Sequence, residues 1–532
     1  LPPDKEIFPL KPSSALLPFG TRFALALVVA AFVTSMASGQ TGPAAAPVVQ
    51  ITSTPSKTQK VTDLTARYRF YERYTGDDDH TAPGYVASYR TAIIEVVKES
   101  LETPKAAPKR TEATRHSIFT ERPAELNGVG NVTGVTRTYE RFKVNPADLL
   151  TTGAQPLEGL SVMVRNRLGD LPQVISLTDG RVLTEFEYDA IAHQIYVPQI
   201  SLLLPAQIIR IGDTWKVSRR AAQALLGDPL IVGDGLVAKF AEVRKEVDGP
   251  RSVAVIDVSG KLPTSAGDST INAELLFTFV GESSLRGFSN KPTFPPKPSE
   301  GVIEGGGSIT EIRLARVISG PLPGSDRLRY QMNREVTMHR QIGLIEGAPV
   351  PPKLKMIPEM NPRNSWLTHF DHGYKFAIDH PQDLIFPERS LAVAEPKTSF
   401  MIRNSREGRD MLQVEYVPRT LAPADLKKEL EEKYKAIKRE VIKGNEVYLP
   451  EAEWPKMKVH RIDAEIKLAD PKAVAVAGSA RIHFDGYLIT FGQACSIIAI
   501  SSTTKDAVAP YRKEIEQILK TIRLDPPKPV AN

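Results

Sequence analysis

A chain of 532 residues with a single cysteine, Cys495, forms no intramolecular disulfide. It also builds none of the zinc sites that need two or more thiolates, and no thiol relay. Its stability must come from a large buried core. H-E-x-x-H, G-x-S-x-G and a Walker-type glycine loop are missing too, which removes the common metalloprotease, hydrolase and nucleotide-binding signatures. A triad assembled only in three dimensions escapes a motif search, so a hydrolase without a recognisable motif stays as an alternative. A strong charge of one sign is also lacking. The 68 Lys and Arg are interleaved with 62 Asp and Glu, a formal charge of +6, and nucleic-acid binding is not suggested.

What is present begins with Thr21 to Gln40, read TRFALALVVAAFVTSMASGQ. Lys11 and Arg22 precede an apolar run from Phe23 to Val33, and small residues follow it, the three parts of a secretory signal. The run is shorter than the ~20 residues of a stable bilayer anchor, which favours a cleaved signal over a retained helix. No cysteine follows it to take a lipid. Residues 1–40 therefore read as a signal peptide, with a mature chain starting between Ser38 and Thr41, and residues 41–60 as a flexible spacer rich in Pro, Ala, Ser and Thr. The chain is expected to be exported, periplasmic or extracellular, and to touch a membrane only through the signal segment if that is left uncleaved.

With 41% hydrophobic and 24% charged residues, the remainder has the composition of a folded protein, and its length implies two or three domains. Residues 61–345 read as a β-rich region, one domain or two halves meeting near 205–235. Leu64, Ala66, Tyr68 and Phe70 alternate with polar neighbours, and Tyr85–Leu101, Arg115–Thr120, Val135–Val144, Val162–Val174 and Arg181–Tyr188 read as further strands. Pro104–Arg110 reads as a loop and Asp148–Leu160 as a helix or an irregular break. Leu236–Val247 and Ser252–Ser259 flank the hairpin signal Asp248-Gly249, and Ile271–Val280, Ser308–Val317 and Arg327–Arg340 follow. Gly305, Gly306 and Gly307 read as a turn or bulge before Ser308 rather than a phosphate loop, since no Lys-Ser/Thr follows them. Roughly ten strands with hardly any helical periodicity predict an antiparallel barrel, half-barrel or sandwich.

The stretch Leu202 to Val217, with a Leu-Pro turn leading into Gly212-Asp213-Thr214-Trp215, resembles a segment of exported planctomycete-type proteins of unknown function. That resemblance implies no activity. Gly212-Asp213 makes a tight turn and Trp215 brings a large ring, so a structural role is expected.

Residues 346–364, with Pro349, Pro351, Pro352, Pro358 and Pro362, read as a stiff linker. Beyond it, residues 365–532 read as a smaller α+β domain, an antiparallel sheet with helices on its faces, expected to fold alone. Pro423 opens a helix with Leu426, Leu430, Ile437 and Val441 on one face, and a last helix from Pro510 to Ile522 carries Tyr511, Ile515, Ile518, Leu519 and Ile522. Tyr487–Ser501 reads as one long strand covered on both faces, with Cys495 a packing residue inside it. The order β, β, β, α, β, β, β, α, opened by Gly373 to Pro381 and closed by Lys505-Asp506 and a helix ending Ile522-Arg523-Leu524, resembles the PsbP and DcrB-like family. The resemblance implies an exported, non-enzymatic accessory or assembly role and carries no catalytic set.

Two clusters invite a metal. Gly76 to His80 holds three consecutive carboxylates, whose side chains point apart where calcium needs alternate ones. His369, Asp371, His372, Asp379 and His380 fall within a dozen residues but match no known ligand spacing, and are expected to be structural or solvated. No catalytic residue, cofactor or metal ligand is therefore assigned. The expected function is an exported non-enzymatic binding or scaffold protein of the cell envelope, its partner another envelope protein. The alternative is a carrier of a lipid or other hydrophobic ligand, which an apolar, open concave face would signal.

Overall fold

Long runs in which apolar and polar side chains alternate need a pleated sheet with one covered face, and most of the chain meets that need. The computed structural model describes residues 58–72, 89–103, 106–126, 132–145, 157–165, 172–228, 231, 233–247, 249–264, 267–280, 302–321, 329–342, 347–371, 375–384, 398–405, 408–436, 446–467, 481–492, 495–504 and 508–524. Its first strands are β1 (Thr58–Lys60), β2 (Arg67–Glu72), β3 (Tyr89–Thr103), β4 (Ala106–Leu126), β5 (Val132–Asn145), β6 (Ser161–Arg165) and β7 (Gln173–Ser176). They are followed by β8 (Leu183–Thr184), β9 (Thr214–Lys216), β10 (Leu236–Glu246), β11 (Arg251–Thr264), β12 (Gly267–Val280), β13 (Val302–Pro321) and β14 (Arg329–Ile342). All except β8 form one sheet of 13 strands, on the path β1-β10-β11-β12-β13-β14-β3-β4-β5-β6-β7. Only β2 pairs in parallel, beside residues 302–307 of β13, while residues 311–321 of β13 pair with β14.

Among the described residues the two ends of that path do not pair, so the sheet is open. Yet Val174 near one end and Val243 near the other belong to the same continuous hydrophobic cluster. The sheet therefore wraps a shared interior, as expected of a β-rich antiparallel region.

Three helical pieces occupy that interior, and the sequence reading of Arg181–Tyr188 as a strand is corrected here. Only β8 is extended; α1 (Glu185–Ala192) starts immediately after it. Thr184 Oγ1 accepts from the Glu187 amide at 3.2 Å and the Glu187 carboxylate accepts from the Thr184 amide at 2.9 Å, a reciprocal cap that turns the chain into a helix. A 3₁₀ segment at Val197–Leu203 and α2 (Arg219–Leu226) follow. Ser218 caps α2 through the Ala221 amide, and Gly227 ends it at φ 61°. A Cβ at Gly227 would lie 2.4 Å from the His193 carbonyl oxygen, so only glycine lets the two helix ends meet. Ala221, Ala222, Ala224, Leu225 and Leu226 are all buried against the sheet's core cluster.

Other expectations shift for local reasons. The spacer gives way to structure before residue 61, because β1 pairs with β10. Leu64 is 63% exposed in a turn, while Tyr68 and Phe70 point inward as expected. The loop expected at Pro104–Arg110 is largely strand, since β4 begins at Ala106 and pairs with β3 from there on. Gly305 to Gly307 lie inside β13, where Cβ atoms would reach 2.9 Å from the Phe70 ring and 2.0 Å from the Thr278 carbonyl. The register shift of that strand falls between Leu276 and Phe277 of its partner, just beyond the glycines. The acidic loop Gly76–His80 lies outside the described residues.

The proline-rich segment is not a bare tether. Thr136 Oγ1 donates to the Pro352 carbonyl at 2.9 Å and the Ser176 amide donates to the Asn364 carbonyl at 2.7 Å, so the segment lies along the sheet. The hairpin β15 (Trp366–Phe370) and β16 (Phe376–Pro381) then pairs back across the expected boundary. With β8 on one side and β23 (Arg523–Leu524) on the other, it makes a four-stranded sheet in the order β23-β16-β15-β8.

The remaining strands, β17 (Thr398–Ser405), β18 (Gly408–Val417), β19 (Glu446–Tyr448), β20 (Lys458–Lys467), β21 (Arg481–Phe491) and β22 (Cys495–Thr503), form a second antiparallel sheet, β17-β18-β22-β21-β20-β19. Helices α3 (Pro423–Ala436) and α4 (Val508–Leu519) pack on its opposite faces. Ile497 and Ala499 meet Tyr511, Ile515 and Ile518 of α4, whereas Ile498 and Ile500 meet Leu426 and Leu430 of α3. Every residue of β22 is buried, as its apolar run requires. The single strand expected over Tyr487–Ser501 is instead the end of β21 and most of β22, broken at Gly492 with φ 60°.

Cys495 opens β22 at 2% exposure. Cys495→Ser is expected to lower stability, by about 1–3 kcal/mol where the new hydroxyl gains no hydrogen bond, with the native thiol resisting a chromogenic disulfide until unfolding. Rapid labelling of the native protein, or an unchanged denaturation midpoint in the variant, would contradict this.

Candidate functional site

Charged side chains on the inner face of a curled sheet are costly unless paired, so their partners show what the interior is built to hold. Arg137 on β5 is 1% exposed; its Nη2 donates to Glu121 Oε1 at 2.6 Å and its Nη1 to Tyr139 Oη at 2.9 Å and Gln194 Oε1 at 2.8 Å. Its guanidinium also stacks 4.0 Å over the Phe119 ring. Gln194, just beyond α1, donates in turn to Ser117 Oγ at 2.9 Å. One buried network thus fastens the α1 exit to β4 and β5.

A second arginine fastens both helices at once. Arg334 of β14 donates from Nε to Glu95 Oε1 at 2.5 Å, from Nη1 to the Leu226 carbonyl at 2.7 Å and from Nη2 to the His193 carbonyl at 2.9 Å. Those carbonyls close α2 and α1, where unsatisfied oxygens and the helix dipoles favour a cation. Burial opposes the Glu95 charge, but Arg334 and Arg115 outweigh it and hold that carboxyl below its ordinary value. Further along β3, burial pushes Glu99 up to about 7 against the opposing pull of the Tyr330 hydroxyl, which donates to it at 2.8 Å, and of Arg115. Arg316 of β13 reaches Asp228 Oδ2 at 3.2 Å and Ser269 Oγ at 3.0 Å.

The histidine cluster of the closing region is divided by its hairpin. His369 and His380 fall on one face of β15 and β16, beside Ile378 and Leu367 in the register, and both turn to Glu185 at the start of α1. His369 Nδ1 lies 2.7 Å from Glu185 Oε2 and His380 Nε2 lies 3.1 Å from Oε1. His380 Nδ1 lies 2.9 Å from the Pro381 carbonyl, so oxygen atoms stand at both of its nitrogens. Burial disfavours the Glu185 charge, but His369 and His380 outweigh it and hold the carboxyl down at about 2. Asp189, one turn along α1, is pushed well above its ordinary value by burial and by the Glu185 charge.

Asp379 faces the other way, bound to Arg523 at 2.7 and 2.8 Å and to Thr368 Oγ1 at 2.6 Å. Asp371 accepts from the Phe376 amide at 2.9 Å and closes the hairpin, while His372 lies outside the described residues. Gln382 adds a further tie to the large sheet, exchanging hydrogen bonds with the Val174 amide and carbonyl. Among the described residues no group of three or more His, Cys, Asp or Glu side chains has the geometry to hold a metal ion. Trp215 has the expected structural place: its indole donates to the Leu203 carbonyl at 3.0 Å, and Asp213 caps the Arg210 amide at 2.8 Å. Sequence reasoning found both histidines but missed Glu185. The T-x-x-E signal Thr184-Glu185-Phe186-Glu187 marks the helix start that would have placed it.

No protein-family model and no curated protein matches the chain. Among solved structures, the MucA/MucB complex of Pseudomonas aeruginosa is matched over 82% of this chain and 94% of that one at 7% identity and a TM-score of 0.13. Ail, the attachment invasion locus protein of Yersinia pestis, is matched over 48% and 100% at 5% identity and a TM-score of 0.10. OccK11 (OpdR) of Pseudomonas aeruginosa is matched over 78% and 95% at 8% identity and a TM-score of 0.11.

Because Glu185 titrates at about 2 in the folded chain and near 4.5 when unfolded, its contribution is fully present above pH 4.5 and is lost as the pH falls toward 2. Glu185→Gln is expected to cost on the order of 2–3 kcal/mol at pH 5 and to flatten the fall in stability between pH 4.5 and 2. Denaturant unfolding across that window checks it. An equally steep fall in the variant would show that the bridge contributes nothing.

Proposed function

We propose that the chain is an exported, non-enzymatic binding or scaffold protein of the cell envelope, with a curled β-rich body and an accessory-type α+β closing region of the PsbP and DcrB-like kind. The observation that carries this reading is the occupied interior. A carrier of a lipid needs an apolar concave face that a ligand can enter, and here α1, the 3₁₀ segment and α2 pack their buried side chains into one cluster with the sheet. Arg137 and Arg334 fix those helices by hydrogen bonds to the sheet and to the helix ends. Such a body is suited to presenting its outer surface to a partner. The secretory pattern of residues 21–40 supports the envelope placement, and among the described residues no helix is long and apolar enough to cross a membrane.

Native mass spectrometry of the full chain, purified from the envelope fraction without detergent, separates the readings. A mass equal to the polypeptide, together with chemical crosslinking to one discrete envelope protein, is the expected result. A stoichiometric lipid released on denaturation would make the chain a carrier.

A further inference from the structure

The described residues expose twelve large apolar side chains, and four of them, Val350, Met356, Ile357 and Met360, fall within eleven residues of the proline-rich segment. Met356 is the most exposed of all at 84%, with Val350 at 63%, Met360 at 40% and Ile357 at 37%. Scattered exposed apolar side chains need no explanation, but a run this dense on one loop does. Its neighbours Lys353, Lys355 and Arg363 are exposed cations, set against the single carboxylate of Glu359.

The loop is built, not merely loose. Thr136 holds the Pro352 carbonyl and the Ser176 amide holds the Asn364 carbonyl, so both ends are tied to the large sheet. Near its far end, Asn364 Oδ1 accepts from the Asn361 amide at 2.9 Å, Asn364 Nδ2 donates to the Glu359 carbonyl at 3.0 Å and Ser365 Oγ donates to the Asn361 carbonyl at 2.8 Å. Pro351, Pro352, Pro358 and Pro362 restrict the backbone further. The entropy of ordering the loop is thus already spent before anything binds.

We propose that this loop, Val350 to Arg363, is a membrane-contacting element that seats Met356 and Ile357 in the headgroup boundary of an anionic lipid surface, with Lys355 and Arg363 against the lipid phosphates. The chemistry matches that surface. Aliphatic and thioether tips enter the acyl boundary, while lysine and arginine stems lie along it and keep their charges at headgroup level. A protein partner fits less well. Four prolines remove the amide donors that strand addition would use, and the loop presents none of the aromatic anchors that dominate protein interfaces. The inference rests on the envelope placement proposed above and extends membrane contact from the leader to the folded chain.

The test places an indole at the tip, Met356→Trp, in the full chain, and reads the difference from wild type. With phosphatidylglycerol vesicles a blue shift and quenching by brominated acyl chains are expected, with neither on pure phosphatidylcholine. Adding Lys355→Gln should weaken the titration about fivefold, the equivalent of one cationic contact, and adding Ile357→Asp should abolish the shift, both with unchanged thermal unfolding. An indole that stays unshifted while the chain sediments with vesicles would mean that the leader alone binds lipid, and overturns the proposal. A shift produced only by delipidated envelope protein would assign the loop to a protein partner and overturn it equally. Either failure concerns residue 356 alone and leaves the envelope placement standing.

Discussion

An open sheet of 13 strands must hide its inner face from water, and in this chain Arg334 shows how that is done. One guanidinium bonds the sheet through Glu95 and the last carbonyls of α1 and α2 through His193 and Leu226. Removing it would leave Glu95 with only the longer contact of Arg115, at 3.5 Å, and two helix ends without this donor, a loss of the order of a broken buried pair, about 3–5 kcal/mol. The approach of the two helix ends depends on Gly227, whose missing side chain admits the His193 and Gln194 carbonyls. Specificity of this kind cannot come from apolar packing alone, because Ala and Leu side chains on α2 would pack in several registers.

The same helices connect the body to the closing region. Because α1 begins at Glu185, directly after β8, the carboxylate that binds His369 and His380 sits beside the strand that pairs with β15. Gln382 repeats the connection one strand away, on β7. The hairpin β15–β16 therefore stands in its own four-stranded sheet between the body and the closing region, joined to the body through β8, Glu185 and Gln382, and the proline-rich segment leading to it is tied to the body at Pro352.

Much of the architecture was legible in the residues. Period-two alternation located the long strands, and the two amphipathic helices of the closing region stand on opposite faces of a sheet whose central strand is wholly buried. The interior was not legible, because its helices are only two turns long, too short for eight positions to establish a helical period against the surrounding strands. Their caps, Thr184 with Glu187 and Ser218 before an alanine-rich run ending in Gly227, were the available signals. The histidine cluster was visible as residue types but not as partners. Sequence proximity grouped Asp379 and Asp371 with His369 and His380, and the strand pleat sends Asp379 to the opposite face, toward Arg523. Glycine was misleading at Gly305 to Gly307, where the absence of side chains makes room for Phe70 and Phe279 rather than for a turn.

The central claim is that the concave face is permanently filled. Hydrogen exchange of the α2 amides from Ala222 to Leu226 tests it most directly, since a helix that leaves the sheet to admit a ligand exposes those amides without unfolding the strands. The account predicts that they exchange as slowly as the amides of β12 to β14, only through global unfolding. Exchange orders of magnitude faster in α2, with the strands still protected, would show a lid over a binding cavity and would contradict it.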